Sequence, residues 1–329
     1  MRRFALLLAA TFALFGFSCV HLPPALQAPD TYWGFAAPWD ARSLASIREH
    51  APALSVIVSA WIAFDSTSFR PVELYPDSVR GLEGAATRFA LITTYQGNRF
   101  HPEILRGLSE TPGLLAQYAG AIAALVDSGQ YRGVVLDFEG MTVRDLDVLL
   151  ASVRTIGDSA RAHGASTVVV AVPAADTAAY PGALLLSSAD YLMPMIYDQH
   201  WSGSAPGPIA EPAWALKYVG MRAAEVGAGK IIAAFPVYGY RWRNGAATEV
   251  ISYYDARSLA ELTNTPLTRD PASGTLHALS SQNWEIWVSD AALMDTLVRQ
   301  SRRVGVKTFA FWRLGLEDPA LWQSVKRRR

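Results

Sequence analysis

The sequence predicts an α/β protein, a (β/α)8 TIM barrel with a small β-rich insertion between the seventh strand and the seventh helix. Short apolar runs alternate along the chain with stretches of helical period. Candidate strands occupy residues 31–37, 53–64, 88–95, 132–138, 166–173, 190–197, 230–238 and 307–313. Helical patterns occupy residues 113–128, 143–163, 212–227 and 290–304. Eight strands with intervening helices favour a closed barrel, and a doubly wound sheet is the second choice.

The composition is that of a globular protein with a large core. Of the 329 residues, 51% are hydrophobic and 18% are charged. Lysine plus arginine number 29, as do aspartate plus glutamate, so no strong field would attract nucleic acid or an anionic membrane. The single cysteine excludes an internal disulfide. The folded domain must therefore be stabilised by its core.

The first residues have the pattern of an export signal. Arg2 and Arg3 precede an apolar run over residues 4–20, and no acidic residue occurs before Asp30. The run is short for a membrane span. The predicted segments are a signal peptide at 1–18, a linker at 19–30 and a barrel domain at 31–329.

Cys19 lies where a bacterial lipoprotein carries its lipid. Gly16 and Ser18 are small residues at positions suited to cleavage before it, although Gly16 stands where a leucine-like residue is usual. Lipid anchoring at Cys19 and plain secretion both remain open. In either case we expect an exported protein: secreted, periplasmic or lipid-anchored at the cell envelope.

The fourth predicted strand ends in two acids. Residues 131–141 read YRGVVLDFEGM, in which an apolar run leads to Asp137 and Glu139. Residues two apart in a strand share a face, so these acids point the same way with Cα atoms roughly 6 to 7 Å apart. Val135 shares that face, and Phe138 points to the other. A buried strand gains nothing from unpaired acids at its end, which indicates a functional site.

Other predicted strands also end in polar or aromatic residues. The sixth ends in Tyr197 and Asp198, the seventh in Tyr238 and nearby aromatics, and the eighth in Trp312. The carboxyl ends of barrel strands converge on one face of the barrel, where active sites are built. Acids, a tyrosine and several aromatics there suit a carbohydrate, because sugar rings stack on indoles while carboxylates and phenols bond hydroxyls and amides.

Residues 243–288 are too many for an ordinary loop. They include a tyrosine pair, the stretch TRDPASGTLH and the strand-like WEIWV. We predict that they form the β-rich insertion and one wall of the cleft, because loops at the carboxyl ends of barrel strands build the site.

Four segments in the right order resemble glycoside hydrolase family 18, the chitinase-like family, between about residues 31 and 322. Residues 133–139 fit the end of the family's fourth-strand pattern DGxDxDxE, and residues 195–198 fit its sixth-strand pattern MxYD. The segments PVYGYRW at 236–242 and FWRLGLEDPALW at 311–322 are similar to the seventh and eighth strands of bacterial members. A lone DxE would be weak, but the ordered set is specific.

The resemblance implies roles for the acids and aromatics. Glu139 would be the general acid and later the base, and Asp137 would orient the substrate's N-acetyl group, which attacks in place of a protein nucleophile. Tyr197 and Asp198 would form hydrogen bonds with the N-acetyl group. Trp312 would form the hydrophobic floor under the sugar ring. The predicted substrate-binding residues are Trp312, Met195, Tyr238, Trp201, Phe35 and Trp242.

These roles imply a glycosidase acting on β-1,4-linked N-acetylglucosamine polymers such as chitin or peptidoglycan. We expect it to be a monomer. Where the family has its first two aspartates this chain has Arg132 and Val135, so we expect slower turnover or a displaced pH optimum. One alternative is a glycan-binding protein without turnover, and another is a conventional glycosidase with Asp198 as nucleophile. We expect no cofactor and no metal ion, because His200 has no second histidine at ligand spacing.

Overall fold

A computed structural model provides the structure of the protein. It describes residues 29–328 except for 66, 67, 69 and 77. The predicted signal peptide at 1–18, all but the end of the predicted linker, and Cys19 lie outside the described residues. Within the described part of the chain, no helix is long and apolar enough to cross a membrane.

Eight parallel strands close into a barrel, which confirms the predicted fold and excludes the doubly wound sheet. The strands are β1 (Thr31–Phe35), β2 (Val56–Phe64), β3 (Thr87–Thr93), β4 (Gly133–Asp137), β5 (Thr167–Pro173), β6 (Tyr191–Met195), β7 (Ile232–Pro236) and β8 (Thr308–Trp312). Each pairs with its neighbours in sequence, and β1 also pairs with β8, so the sheet has no open end. Seven of these strands lie within the predicted ranges, and β3 begins one residue before its range.

Helices surround the barrel. They are α1 (Ala41–His50), α2 (Pro102–Glu110), α3 (Leu114–Ser128), α4 (Leu146–Ala162), α5 (Gly182–Leu185), α6 (Pro212–Val226), α7 (Tyr253–Leu262), α8 (Ala291–Arg303) and α9 (Leu321–Arg328). The four predicted helical stretches correspond to α3, α4, α6 and α8. Helix α4 begins later than predicted, because a capping box between Thr142 and Asp145 encloses a 3-10 turn first. After β2 the chain forms a further strand, Pro71–Leu74, which pairs antiparallel with β2.

Strand β4 shows how alternation builds two cores. Val134, Leu136 and Phe138 are buried among the helices, whereas Val135 is buried inside the barrel. The barrel interior is filled mainly by apolar side chains, including Trp33. The apolar filling leaves the carboxyl ends of the strands as the place where polar groups meet.

The insertion comprises residues 239–288 and packs over the carboxyl end of β7. Its five strands are Gly239–Arg243, Glu249–Ile251, Thr268–Arg269, Leu276–Ser280 and Trp284–Val288, and they form one antiparallel sheet. The predicted β-rich insertion is confirmed, although it starts four residues earlier than expected. Helix α7 was not predicted. It begins at the tyrosine pair because the Ser252 side chain accepts a hydrogen bond from the Asp255 amide and caps it.

Gly239 is where the insertion leaves the barrel, and a side chain has no room there. A Cβ atom would lie 2.2 Å from the Trp287 carbonyl oxygen and 2.6 Å from the Val288 Cα atom, and backbone cannot move aside cheaply. We expect Gly239→Ala to lower the free energy of unfolding by about 1–3 kcal/mol, the scale of overpacking. Thermal or urea unfolding measures this loss.

Gly220→Ala is the matched control for this substitution. Gly220 lies inside α6 with open space around its Cα, so alanine there should be neutral or stabilising. Equal stability of the Gly239→Ala and wild-type proteins would contradict this prediction, because it would show that the backbone of the insertion moves aside without cost.

Candidate active site

Asp137 ends β4 and points into the barrel mouth. Its side chain is 9% exposed, and its Oδ2 atom accepts a hydrogen bond of 3.0 Å from the Thr93 hydroxyl at the end of β3. The Thr93 hydroxyl in turn accepts one of 3.0 Å from the Tyr95 amide. The Oδ1 atom of Asp137 has no partner among the described residues. Val135 lies beneath on the same face, fully buried, so a threonine rather than a second acid supports this carboxyl.

Glu139 lies two residues further on, in the loop that follows β4, and it faces two other acids. Burial, as the largest cause, and the negative charges of Asp137 and Asp198 together raise its pKa to about 9. Burial also raises the pKa of Asp137, to about 6, although the Thr93 hydrogen bond opposes this. Glu139 is therefore the acid of this pair that holds its proton at neutral pH.

Asp198 follows β6 and has a left-handed backbone conformation (φ 57°). Its Oδ1 atom accepts hydrogen bonds from the hydroxyls of Tyr238 at 2.5 Å and Tyr240 at 3.1 Å. Burial raises the pKa of Asp198, and the two phenol hydrogen bonds lower it in part. Tyr197 precedes it and stacks its ring on Trp312, with centroids 6.4 Å apart and planes 13° from parallel.

These groups line one cavity of about 380 Å³ at the carboxyl ends of the barrel strands. Eight predicted site residues line it: Phe35, Asp137, Glu139, Met195, Tyr197, Asp198, Tyr238 and Trp312. Trp312 forms part of an aromatic wall with Phe35, at a centroid distance of 5.3 Å, and Trp61, at 5.9 Å. The arrangement can present a protonated carboxyl beside an apolar surface.

The structure does not bring Trp201 and Trp242 into this cavity. Trp201 is 50% exposed in the loop after β6. Trp242 is buried in the insertion, where its indole N–H donates to the Ser204 carbonyl at 3.1 Å and its ring packs on Tyr240. Both residues follow strand ends in the sequence. However, Trp201 lies in an exposed loop and Trp242 in the sheet of the insertion, and neither lines the cavity. Trp242 supports the wall from behind.

Several aromatic lining residues were not predicted from the sequence: Trp39, Trp61, Tyr95 and Phe100. Tyr240 and Arg313, which follow the ends of the seventh and eighth strands, also line the cavity. Trp61 was missed because the pairing of β2 with β3 shifts register between Val58 and Ala60. This irregularity breaks the two-residue alternation and turns Trp61 inward. Trp39 and Tyr95 lie in or beside loops, where no periodicity exists. Trp39 follows β1 closely, and this position was the one available signal.

His200 lies in the loop after β6. Its Nδ1 atom lies 3.0 Å from the Ala205 carbonyl oxygen. The described residues contain no group of three histidine, cysteine, aspartate or glutamate side chains placed to hold a metal ion.

Comparison with known sequences gives distant relatives. No protein-family model matches the chain. A putative sporulation-specific glycosylase of Bacillus subtilis is 27% identical over 255 residues, which are 72% of this chain and 60% of that protein. The chain thus spans less than two thirds of the length of this curated relative.

Solved structures match more of the chain. The spore cortex-lytic enzyme of Bacillus cereus has a TM-score of 0.79 at 17% identity and covers 91% of this chain and 74% of its own. A chitinase from Chromobacterium violaceum has the same TM-score at 20% identity, with 91% and 98% covered. This chain has the fold of the chitinase-like glycoside hydrolases of family 18. The resemblance found in the motifs is confirmed at the level of fold.

The buried Glu139 should make the stability of the protein depend on pH. Its pKa is higher in the folded protein than its ordinary value of 4.5, so its stabilising contribution is full below pH 4.5 and is lost as pH rises toward about 9. Glu139→Gln removes the ionisable group. We expect the melting temperature of the variant to exceed that of the wild type by at least about 2 °C at pH 8, and by less at pH 4.5.

Glu110→Gln is the control, because Glu110 is exposed at the end of α2. Its melting-temperature difference from the wild type should be similar at both pH values. A Glu139→Gln variant less stable than wild type at pH 8 would contradict the burial argument.

Proposed function

We propose that this protein is a retaining glycoside hydrolase that cleaves β-1,4 bonds in N-acetylglucosamine-containing polymers. The observation that carries the proposal is Glu139, a carboxyl with a strongly raised pKa in a cavity that also presents Asp137, Tyr197 and an aromatic wall. A general acid must be protonated at working pH, and this environment supplies that condition. Relatives named as a glycosylase, a cortex-lytic enzyme and a chitinase support the same class of reaction.

In the proposed first step, Glu139 gives its proton to the glycosidic oxygen as the bond to the anomeric carbon breaks. The carbonyl oxygen of the substrate's own N-acetyl group attacks that carbon and forms a cyclic oxazolinium ion. Asp137 holds the acetamido N–H and stabilises the positive charge. Tyr197 stays a neutral hydroxyl donor, because burial raises its pKa well above the ordinary value.

In the second step, the Glu139 carboxylate removes a proton from water, and the water oxygen attacks the anomeric carbon. The oxazolinium ring opens, the acetamido group is restored and the anomeric configuration is retained. The hydrogen bond from Thr93 to Asp137 takes over part of the support that a carboxyl at position 135 would give. Because Val135 cannot exchange a proton, the proposal includes slower turnover or a displaced pH optimum.

Two alternatives compete with this mechanism. Val135 favours a binding protein without turnover, since the acid beneath Asp137 is missing. A conventional glycosidase would use Asp198 as nucleophile, but one of its oxygens already accepts two phenol hydrogen bonds. A thiazoline analogue of N-acetylglucosamine should inhibit the substrate-assisted mechanism and spare the conventional one.

The proposal also includes export of the protein and, as one form of it, lipid anchoring at Cys19. Both rest on the pattern of residues 1–19 in the sequence. The proposal further includes a monomeric state and a reaction that needs no cofactor.

The decisive test of the proposal is hydrolysis of chitooligosaccharides and purified peptidoglycan. Glu139→Gln keeps the shape of the side chain but cannot donate a proton, so we expect turnover to fall by at least about a hundredfold. Product release measured by chromatography reports this, with Glu110→Gln as the control. Wild-type protein that binds oligomers yet releases nothing between pH 4 and pH 9 would establish the binding-protein alternative.

Arg313 bears on which polymer is used. It follows Trp312, lines the cavity, and donates one hydrogen bond of 2.9 Å to Asp40 while its guanidinium lies 5.7 Å from the Trp39 ring. A guanidinium matches the geometry of a carboxylate, which peptidoglycan bears and chitin lacks. Within the proposed reaction, carboxylate-bearing glycans of the peptidoglycan type are therefore the favoured substrate.

We expect Arg313→Met to raise KM for peptidoglycan fragments at least about tenfold, the scale of one lost charge-assisted hydrogen bond. The KM for chitooligosaccharides should change much less. Arg42→Met is the control, because Arg42 also lies near Asp40, with its Nε atom 3.7 Å from Oδ1, but does not line the cavity. An equal rise for both substrates would show that Arg313 only supports the neighbouring Asp40 and Trp39.

A further inference from the structure

The Tyr180 hydroxyl lies between two backbone groups on either side of Glu139. It donates a hydrogen bond of 2.9 Å to the Phe138 carbonyl and accepts one of 3.1 Å from the Met141 amide. Tyr180 is 1% exposed, so water does not compete for these bonds. One side-chain group therefore bonds the backbone both before and after the proposed acid.

The loop from Phe138 to Met141 is a tight turn that this hydroxyl bridges. Gly140 in it has a φ of 77°, in the left-handed region that favours glycine. In a four-residue turn the first carbonyl commonly bonds the fourth amide directly. Here the hydroxyl bonds both groups, so the spacing of the turn depends on Tyr180.

Glu139 depends on this turn for its position. Among the described residues, none is recorded as hydrogen-bonding the Glu139 carboxyl, whereas Asp137 bonds Thr93, and Asp198 bonds Tyr238 and Tyr240. The direction of the Glu139 side chain is therefore set by its backbone and by packing. Displacing a catalytic group by about 1 Å can cost about a hundredfold in rate.

Tyr180 is held in turn by Arg222 of helix α6. Arg222 is fully buried, and its guanidinium pairs with Glu225 at 2.9 Å. Its nitrogens donate to the backbone carbonyls of Pro173, Ala174, Asp176 and Tyr180 at 2.7–3.2 Å. Glu225 also accepts a hydrogen bond of 2.5 Å from the Gly182 amide. The whole loop between β5 and α5 is thus fastened to α6.

We propose that Tyr180 is a positioning residue for Glu139, and that Arg222 acts behind it by fixing the loop that carries Tyr180. The inference deepens the proposed function and rests on it, since Glu139 is the group that the brace positions. The brace runs from α6 through the loop after β5 to the loop after β4. Tyr180 does not touch the substrate in this role, which is to keep the acid buried and aimed at the glycosidic oxygen.

Tyr180→Phe tests the role, because it keeps the ring and removes only the bridging hydroxyl. We expect kcat to fall about tenfold to a hundredfold with KM unchanged. A loosened turn lets water reach Glu139, so its pKa falls and the alkaline limb of the pH–rate profile moves to lower pH. Asp137, Asp198 and Tyr197 face the same carboxyl and are kept in the variant.

Tyr32→Phe is the matched control. Tyr32 is also 1% exposed, and its hydroxyl donates to Asp30 at 3.1 Å near the start of β1, at the opposite end of the barrel. This variant also loses a buried hydroxyl bond, so it reports the cost of such a loss alone. We expect its kcat and its alkaline limb to match those of the wild type.

A carbon-13 NMR titration of the glutamate carboxyls tests the brace without any turnover. The Glu139 signal is identified by its loss in Glu139→Gln, and its pKa should be lower in Tyr180→Phe than in the wild type and Tyr32→Phe. An unchanged Glu139 pKa in Tyr180→Phe overturns the inference, whatever the activity. A lowered pKa in a protein that hydrolyses no glycan supports the brace and rejects the proposed function instead.

Discussion

Removing three carboxyls from water in one cavity is the constraint on which the rest of the site depends. Burial raises the pKa of Asp137, Glu139 and Asp198, and the protein offsets this unequally. Asp137 receives one hydroxyl, Asp198 receives two phenols, and no hydrogen bond to Glu139 is recorded among the described residues. The hydrogen-bond donors thus decide which acid keeps its proton, and they come from strands and loops far apart in the chain.

The barrel makes this arrangement possible by separating packing from chemistry. Closure between β1 and β2 brings the carboxyl ends of all eight strands to one mouth, while an apolar interior supports them from below. Val135 belongs to that interior although it lies on the same face as Asp137. The boundary between the apolar core and the polar site therefore falls between residues 135 and 137. In the family pattern an aspartate stands at position 135, so the polar site there begins two residues earlier along the strand.

Much of this could be predicted from sequence where the signal is local. Strand positions follow from apolar periodicity, and Asp137 and Glu139 stand out because acids interrupt a buried run. Trp61 could not be predicted because a register shift in β2 reverses its face, and Trp201 and Trp242 were misplaced because nearness to a strand end does not fix where a loop runs. The link between Arg222, Tyr180 and the turn after β4 left no sequence signal, since it joins three distant segments through backbone atoms.

The insertion has a consequence for how such a protein can evolve. It contributes Tyr240 and Val250 to the cavity wall, yet Asp137 and Glu139 belong to the barrel itself. It joins the barrel through a crowded glycine and through the ion pair between Arg42 and Asp255. Mutation and selection could therefore reshape one wall of the cavity, and under the proposed function the length or branching of the glycans it accepts, while Asp137 and Glu139 are inherited unchanged.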